Sequence, residues 1–360
     1  MGLTALQEHG AGLSAGFPQY QTADYRGATT AGRFGEPQAE FAALQTGCGV
    51  YDLGYRAKIS LTGGDRVRWL NGMVTNNIRD LAAGYGVYAF LLNPQGHILG
   101  DLYAYNHGES IIVDTDSSQA GKILATFDHY IIMDDVEVKN LSEEITALGV
   151  AGPKSREMLR AIDVTIPELQ PLQMHTVQCD CECGCLNCTF VRGDNPLSES
   201  YEIWLSPGHV KPLWDTLLKA GATPVGSEAL ELGRIAAGIP LYGVDIRERD
   251  LPQETEQARA LNFNKGCYIG QEIVERIRSR GAVHRKFSGF IWENGGSITP
   301  GAKIVVGEKE VGEITSAHSF GNGHPGMALG YVRREVALPK KEVLIGGTKG
   351  EIAELPFRKM

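Results

Sequence analysis

The residues best placed to do chemistry lie in one run, Lys265-Gly266-Cys267-Tyr268-Ile269-Gly270-Gln271-Glu272. After it, Ile273, Val274 and Ile277 form an apolar stripe at helical spacing. Glu272 and Glu275 come early in that helix and Arg276, Arg278 and Arg280 late, which suits the helix dipole, and Gly281 marks its end. The run is thus a loop entering a helix N-terminus, where unpaired backbone N–H groups attract anions. Gly266 and Gly270 permit close backbone approach. The Lys265 cation and the helix end both favour a thiolate at Cys267. Two readings follow: a reactive or ligand-binding cysteine beside an anion site, or a small buried cysteine in a tight turn.

Two carboxylates stand out elsewhere. Asp101 sits in Gly96-His-Ile-Leu-Gly-Asp-Leu102, on a strand leaving a tight turn. By itself it reads as a surface or capping residue. Glu202, in Tyr201-Glu-Ile203, lies on an alternating strand. By itself it reads as an outward-facing residue of that strand. Residues 178–188 read QCDCECGCLNC, with Cys179, Cys181, Cys183 and Cys185 on one face of a strand. Same-face neighbours on a strand are about 7 Å apart, which does not close a tetrahedral metal site. These cysteines read as apolar core residues, with metal binding and redox chemistry as alternatives and no ligand assigned.

Strands are predicted at Arg56–Leu61, Val87–Asn93, His97–Tyr105, Ser110–Asp114, Ile145–Val150 and Tyr201–Leu205. Helices are predicted around Val67–Met73, Ser117–Tyr130, Val210–Ala220 and Ser227–Ala237, with Asp65 as a cap for the first. Residues 1–40 read as an arm and a first helix. From Phe287 onward, short alternating segments between glycine turns predict a small β-barrel or sandwich. The fold class is α+β with mostly antiparallel sheets. Expected domains are residues 1–140, 141–283 (carrying the 265–272 run) and 284–360.

The 360 residues, 42% hydrophobic and 21% charged, suit a globular chain. A net charge of -9 argues against nucleic acid as a partner. No long apolar run or secretory signal is recognised, so no membrane partner and a cytoplasmic location are expected.

KGCYIGQE resembles the signature of the YgfZ family of folate-binding proteins. Val50-Tyr-Asp-Leu53, Leu70-Asn-Gly-Met-Val-Thr-Asn76, Arg234-Ile-Ala-Ala-Gly238 and Tyr242-Gly-Val-Asp-Ile246 resemble the wider group that includes the glycine-cleavage T-protein. The resemblance implies a three-domain cloverleaf around a folate channel, with tetrahydrofolate or a one-carbon derivative as cofactor. It implies catalytic roles for Asp101 and Cys267, with Asp101 orienting the folate nitrogen. It also implies folate contacts from Asp101, Glu202, Lys265, Gly266, Tyr268, Gly270 and Gln271, with Glu202 bonding the pterin. The pattern departs from T-proteins at Asp194–Ser200, and at Leu230 and Glu231 where an Arg-Asp pair is usual. These departures favour a YgfZ-like role in assembly or repair of iron–sulfur enzymes, with such client proteins as partners. The alternative is an aminomethyltransferase that takes a one-carbon unit from a lipoyl carrier protein.

Overall fold

The computed structural model describes residues 2–10, 20–177, 187–281, 283–293, 296–320 and 325–357. The cysteine ladder at 179–185 lies outside them. Contacts divide the chain into two units: residues 1–71, 77–88 and 102–230 in unit one, and residues 72–76, 89–101 and 231–360 in unit two.

Alternation builds unit one. The strand Arg56–Thr62 buries Ala57, Ile59 and Leu61 on one face and turns Arg56 and Lys58 to the other. It belongs to a five-stranded sheet ordered Gly86–Leu92, Ile98–Asn106, Ile111–Asp116, Arg56–Thr62, Glu137–Asn140. A six-stranded sheet runs Met174–Val177, Cys188–Arg192, Ser200–Leu205, Thr146–Ala151, Gly49–Asp52, Thr223–Val225. One of its faces packs Val50, Leu148, Ile203 and Leu205 against Val210, Leu213, Trp214 and Leu217 of the helix Pro207–Lys219. Trp214 is fully buried, so its truncation to Ala costs about 3–5 kcal/mol. Cys188, at the start of the strand Cys188–Arg192, joins this core. The other face sets Ala147, Val191 and Trp204 against Tyr55, Tyr105 and Ile112.

The helix expected at the end of residues 1–40 is present, but the stretch before it is more than an arm. It holds a hairpin, Gln21–Tyr25 and Ala28–Arg33, before the helix Pro37–Thr46. The second strand shows little alternation because Ala28, Thr30, Ala31 and Gly32 are all buried. Its turn needs Gly27, at φ 98°, whose added Cβ would lie 2.3 Å from the Ser118 amide. Asp65 precedes the helix Arg66–Met73, yet its carboxylate accepts from the Asp135 amide and from Arg68 instead of capping.

In unit two, six strands close a barrel in the order Arg285–Trp292, Gly326–Arg333, Lys309–His318, Lys303–Val306, Glu342–Ile345, Thr348–Ala353. Phe290, Ile304, Ile314, Val332 and Ile352 fill it, and closure leaves no free edge. Among the described residues no helix is long and apolar enough to cross a membrane.

Candidate active site

The strand Ser200–Leu205 turns Tyr201, Ile203 and Leu205 into one core and Glu202 and Trp204 to the opposite face. The Trp204 indole Nε1 donates to Glu202 Oε2 at 2.9 Å. That is the one hydrogen bond Glu202 accepts among the described residues, and Glu202 is only half-buried. Flat rings surround this face. Tyr105 stands edge-on to Trp204 at 5.2 Å, and Tyr51 lies over Gly149, where an added Cβ would come within 2.0 Å of its ring. Gly149 is the cross-strand partner of Glu202.

A buried charged layer lies on the facing strands. Lys58 and Asp114 are cross-strand partners with fully buried side chains, joined at 2.9 Å. Arg56 grips both oxygens of Asp114, at 3.2 and 3.0 Å, and reaches Asp116 at 2.5 Å. Arg26 adds a contact to Asp116 at 3.6 Å. The Lys58 ammonium sits 4.8 Å over the Trp204 ring, which links this layer to the Glu202 face. Burial pushes the Asp114 carboxyl up, but Arg56 and Lys58 outweigh it and hold the group below its ordinary value. Glu202 goes the other way: burial, then repulsion from Asp114, raise it against the pull of Lys58 and Arg56.

Sequence reasoning missed this layer. Its signal was present, since RAKISL spaces two cations two residues apart and the strand ending in Asp114-Thr-Asp116 does the same with carboxylates. The segment that departs from the T-protein pattern also contributes, because the Tyr103 hydroxyl donates to Asp194 at 3.3 Å.

The remaining predicted residues fall in unit two. Asp101 is half-buried on the strand Ile98–Asn106, just past the Gly96 turn at φ 78°. By strand alternation it shares a face with Tyr103. The hairpin tip before it packs on the 265–272 run. An added Cβ on Gly96 would meet Ile273 at 2.7 Å, and one on Gly270 would meet the Asn93 carbonyl at 2.6 Å. Gly270, at φ 81°, caps the helix Gln271–Arg280 in the left-handed conformation.

Within the run, Cys267 is exposed, which excludes the buried-cysteine reading. Lys265 is a strut. Its buried ammonium donates to the Val74 and Asn76 carbonyls at 2.5 and 2.7 Å and lies 4.9 Å over the Tyr268 ring. Burial, helped by Glu275, pushes the Tyr268 hydroxyl up to about 12, so it stays neutral. The Gln271 side chain accepts from the Tyr268 amide at 3.3 Å, bracing the loop it follows, and Gly266 is half-buried. No group of three or more metal-ligating side chains occurs among the described residues.

The family model of the GCVT N-terminal domain matches residues 3–265. The chain belongs to this family. An aminomethyltransferase of Alkaliphilus oremlandii is 27% identical over 82% of this chain and 81% of its own length. One of Rubrobacter xylanophilus is 28% identical, over 83% and 79%. The crystal structure of glycine cleavage system aminomethyltransferase T from Bartonella henselae superposes with a TM-score of 0.87 at 22% identity, covering 99% of this chain and 98% of that one. The fold is therefore α+β, of the GCVT type, with mostly antiparallel sheets and a closed C-terminal barrel. These findings overturn the expected YgfZ-like role with iron–sulfur client proteins. The relatives from Alkaliphilus oremlandii and Rubrobacter xylanophilus are both named aminomethyltransferase.

Proposed function

We propose that the chain is a transferase of the aminomethyltransferase type, moving a one-carbon unit from an aminomethyl-lipoyl carrier protein to tetrahydrofolate. The observation that carries this reading is Glu202. It is a half-buried carboxylate among flat rings, holding one hydrogen bond and keeping acceptor capacity for more. A pterin is flat and presents two N–H donors on a guanidine-like edge, so the donor set and the shape both suit it. Bound tetrahydrofolate would supply the nitrogen nucleophile. Glu202 would fix its pterin edge, and the rings of Tyr51, Tyr105 and Trp204 would wall it. In unit two, the Asp101 carboxylate has by itself the chemistry to accept a hydrogen bond from an amine nitrogen and to stabilise positive charge as a bond forms there.

Lys265, Gly266, Tyr268, Gly270 and Gln271 support the ligand indirectly in this reading, by building the helix start that carries the Asp101 hairpin. No step of the transfer needs a thiol, so Cys267 is a bystander. The test supplies the full chain with an aminomethyl-loaded lipoyl carrier protein and follows ammonia release with and without tetrahydrofolate. Folate-dependent release is expected. Folate binding with no release would overturn the donor, and absence of folate binding would overturn the reading altogether.

A further inference from the structure

The charged layer of unit one has an asymmetry. Asp114 receives Lys58 and the Nε and one terminal nitrogen of Arg56, whereas Glu202, on the facing strand, receives no cation directly among the described residues. A carboxylate whose role is to accept a ligand must stay ionised and stay unoccupied. A direct salt bridge would secure the first condition and defeat the second. Lys58 resolves the conflict by place: its ammonium neutralises Asp114 and lies against the Trp204 ring, whose indole N–H holds Glu202.

The groups facing Glu202 can be named strand by strand. Arg56 and Lys58 come from Arg56–Thr62 and Asp114 from Ile111–Asp116, whose Asp116 pairs with Arg56. Tyr51, Tyr55 and Tyr105 contribute only neutral hydroxyls, since burial pushes each far up. Arg26 pairs with Asp116. Three cations (Arg26, Arg56, Lys58) therefore face three carboxylates (Asp114, Asp116, Glu202), and the layer is neutral with Glu202 ionised. Removing Lys58 leaves one negative charge in excess in the layer, and Glu202, which has no ion pair among the described residues, is the group that takes up the proton.

We propose that Lys58 is a positioning residue for ligand recognition, a buried cation that cancels Asp114 so that Glu202 remains an open, ionised acceptor. The ligand named here is the pterin edge, and that part rests on the function proposed above; the effect on Glu202 does not.

The experiment follows Glu202 directly in the ligand-free full chain. Glutamate carboxyl carbons are labelled with 13C, the Glu202 resonance is assigned by its loss in Glu202→Gln, and its titration is compared across variants. In Lys58→Met the midpoint moves up by about one pH unit or more, the scale of a lost neighbouring charge. Lys58→Met/Asp114→Asn returns it toward the wild-type value, because the excess negative charge is gone. Asp114→Asn alone moves it down and keeps the inference testable if Lys58→Met fails to fold. An unchanged midpoint in Lys58→Met, or in Asp114→Asn, overturns the inference. Tetrahydrofolate affinity measured against pH should fall below the same midpoint in each variant. If the midpoints move as stated while folate binding ignores them, the role of Lys58 toward Glu202 stands and the folate reading fails.

Discussion

Gly270→Ala probes the joint between the helix Gln271–Arg280 and the hairpin that carries Asp101. At φ 81° the residue is in the left-handed region, where an L side chain costs about 1–2 kcal/mol. The new Cβ would stand 2.6 Å from the Asn93 carbonyl oxygen and 3.1 Å from the Gly96 Cα, both backbone. No rotamer relieves such an overlap, so the hairpin tip or the helix start must move. Overpacking of that kind costs about 1–3 kcal/mol. Together the loss is about 2–5 kcal/mol. Urea unfolding of the full chain, followed by circular dichroism, measures it. Gly281→Ala is the internal control, at the other end of the same helix. Its φ of -167° is ordinary extended backbone and nothing lies within 4 Å of an added Cβ, so its change should stay within about 0.5 kcal/mol. Equal unfolding midpoints for the two variants would refute the reasoning. Tetrahydrofolate-dependent turnover should fall in Gly270→Ala beyond what unfolding explains, since the strand bearing Asp101 shifts.

Glu202→Gln should weaken tetrahydrofolate binding about 10- to 100-fold by calorimetry, as a charged acceptor becomes a neutral one. Stability should respond to pH as well. The Glu202 carboxyl is raised in the fold, so its contribution is full below its unfolded value and is lost as pH rises through the folded one. Glu202→Gln should flatten that fall, which sets in above the ordinary glutamate range, and an identical slope in wild type and variant would remove Glu202 as its cause. Asp101→Asn should lower turnover by about 10²- to 10⁴-fold while folate still binds, and retained turnover would take the charge-stabilising role away from Asp101. Iodoacetamide should modify the exposed Cys267 before Cys48, whose buried thiol is pushed up to about 11. Peptide mapping reads the order, and Cys267→Ser should retain transferase turnover.

Local sequence fixes more of this protein than its site. Arg56–Thr62 alternates because one of its faces is buried, and Ser227–Ala237 and Gln271–Arg280 carry helical periodicity, so all three were readable in place. The change to short alternating segments at Phe287 likewise announced the barrel. Ala28–Arg33 was not readable, because burial on both faces erases the period that marks a strand. The 265–272 run was legible as a loop entering a helix. Its chemistry was read too locally: Lys265 stands two residues from Cys267, yet its ammonium reaches carbonyls 191 and 189 positions away in the chain. Glu202 was nominated by the family resemblance, but its company was not. Lys58 and Asp114 are 56 residues apart, and nothing local says that they will meet, fully buried, beneath Trp204. Sequence by itself determines which residues can share a face, because backbone periodicity is a short-range property. Only the tertiary structure decides which faces meet, and with that which charges lose water, which are cancelled, and which carboxylate stays open to a ligand.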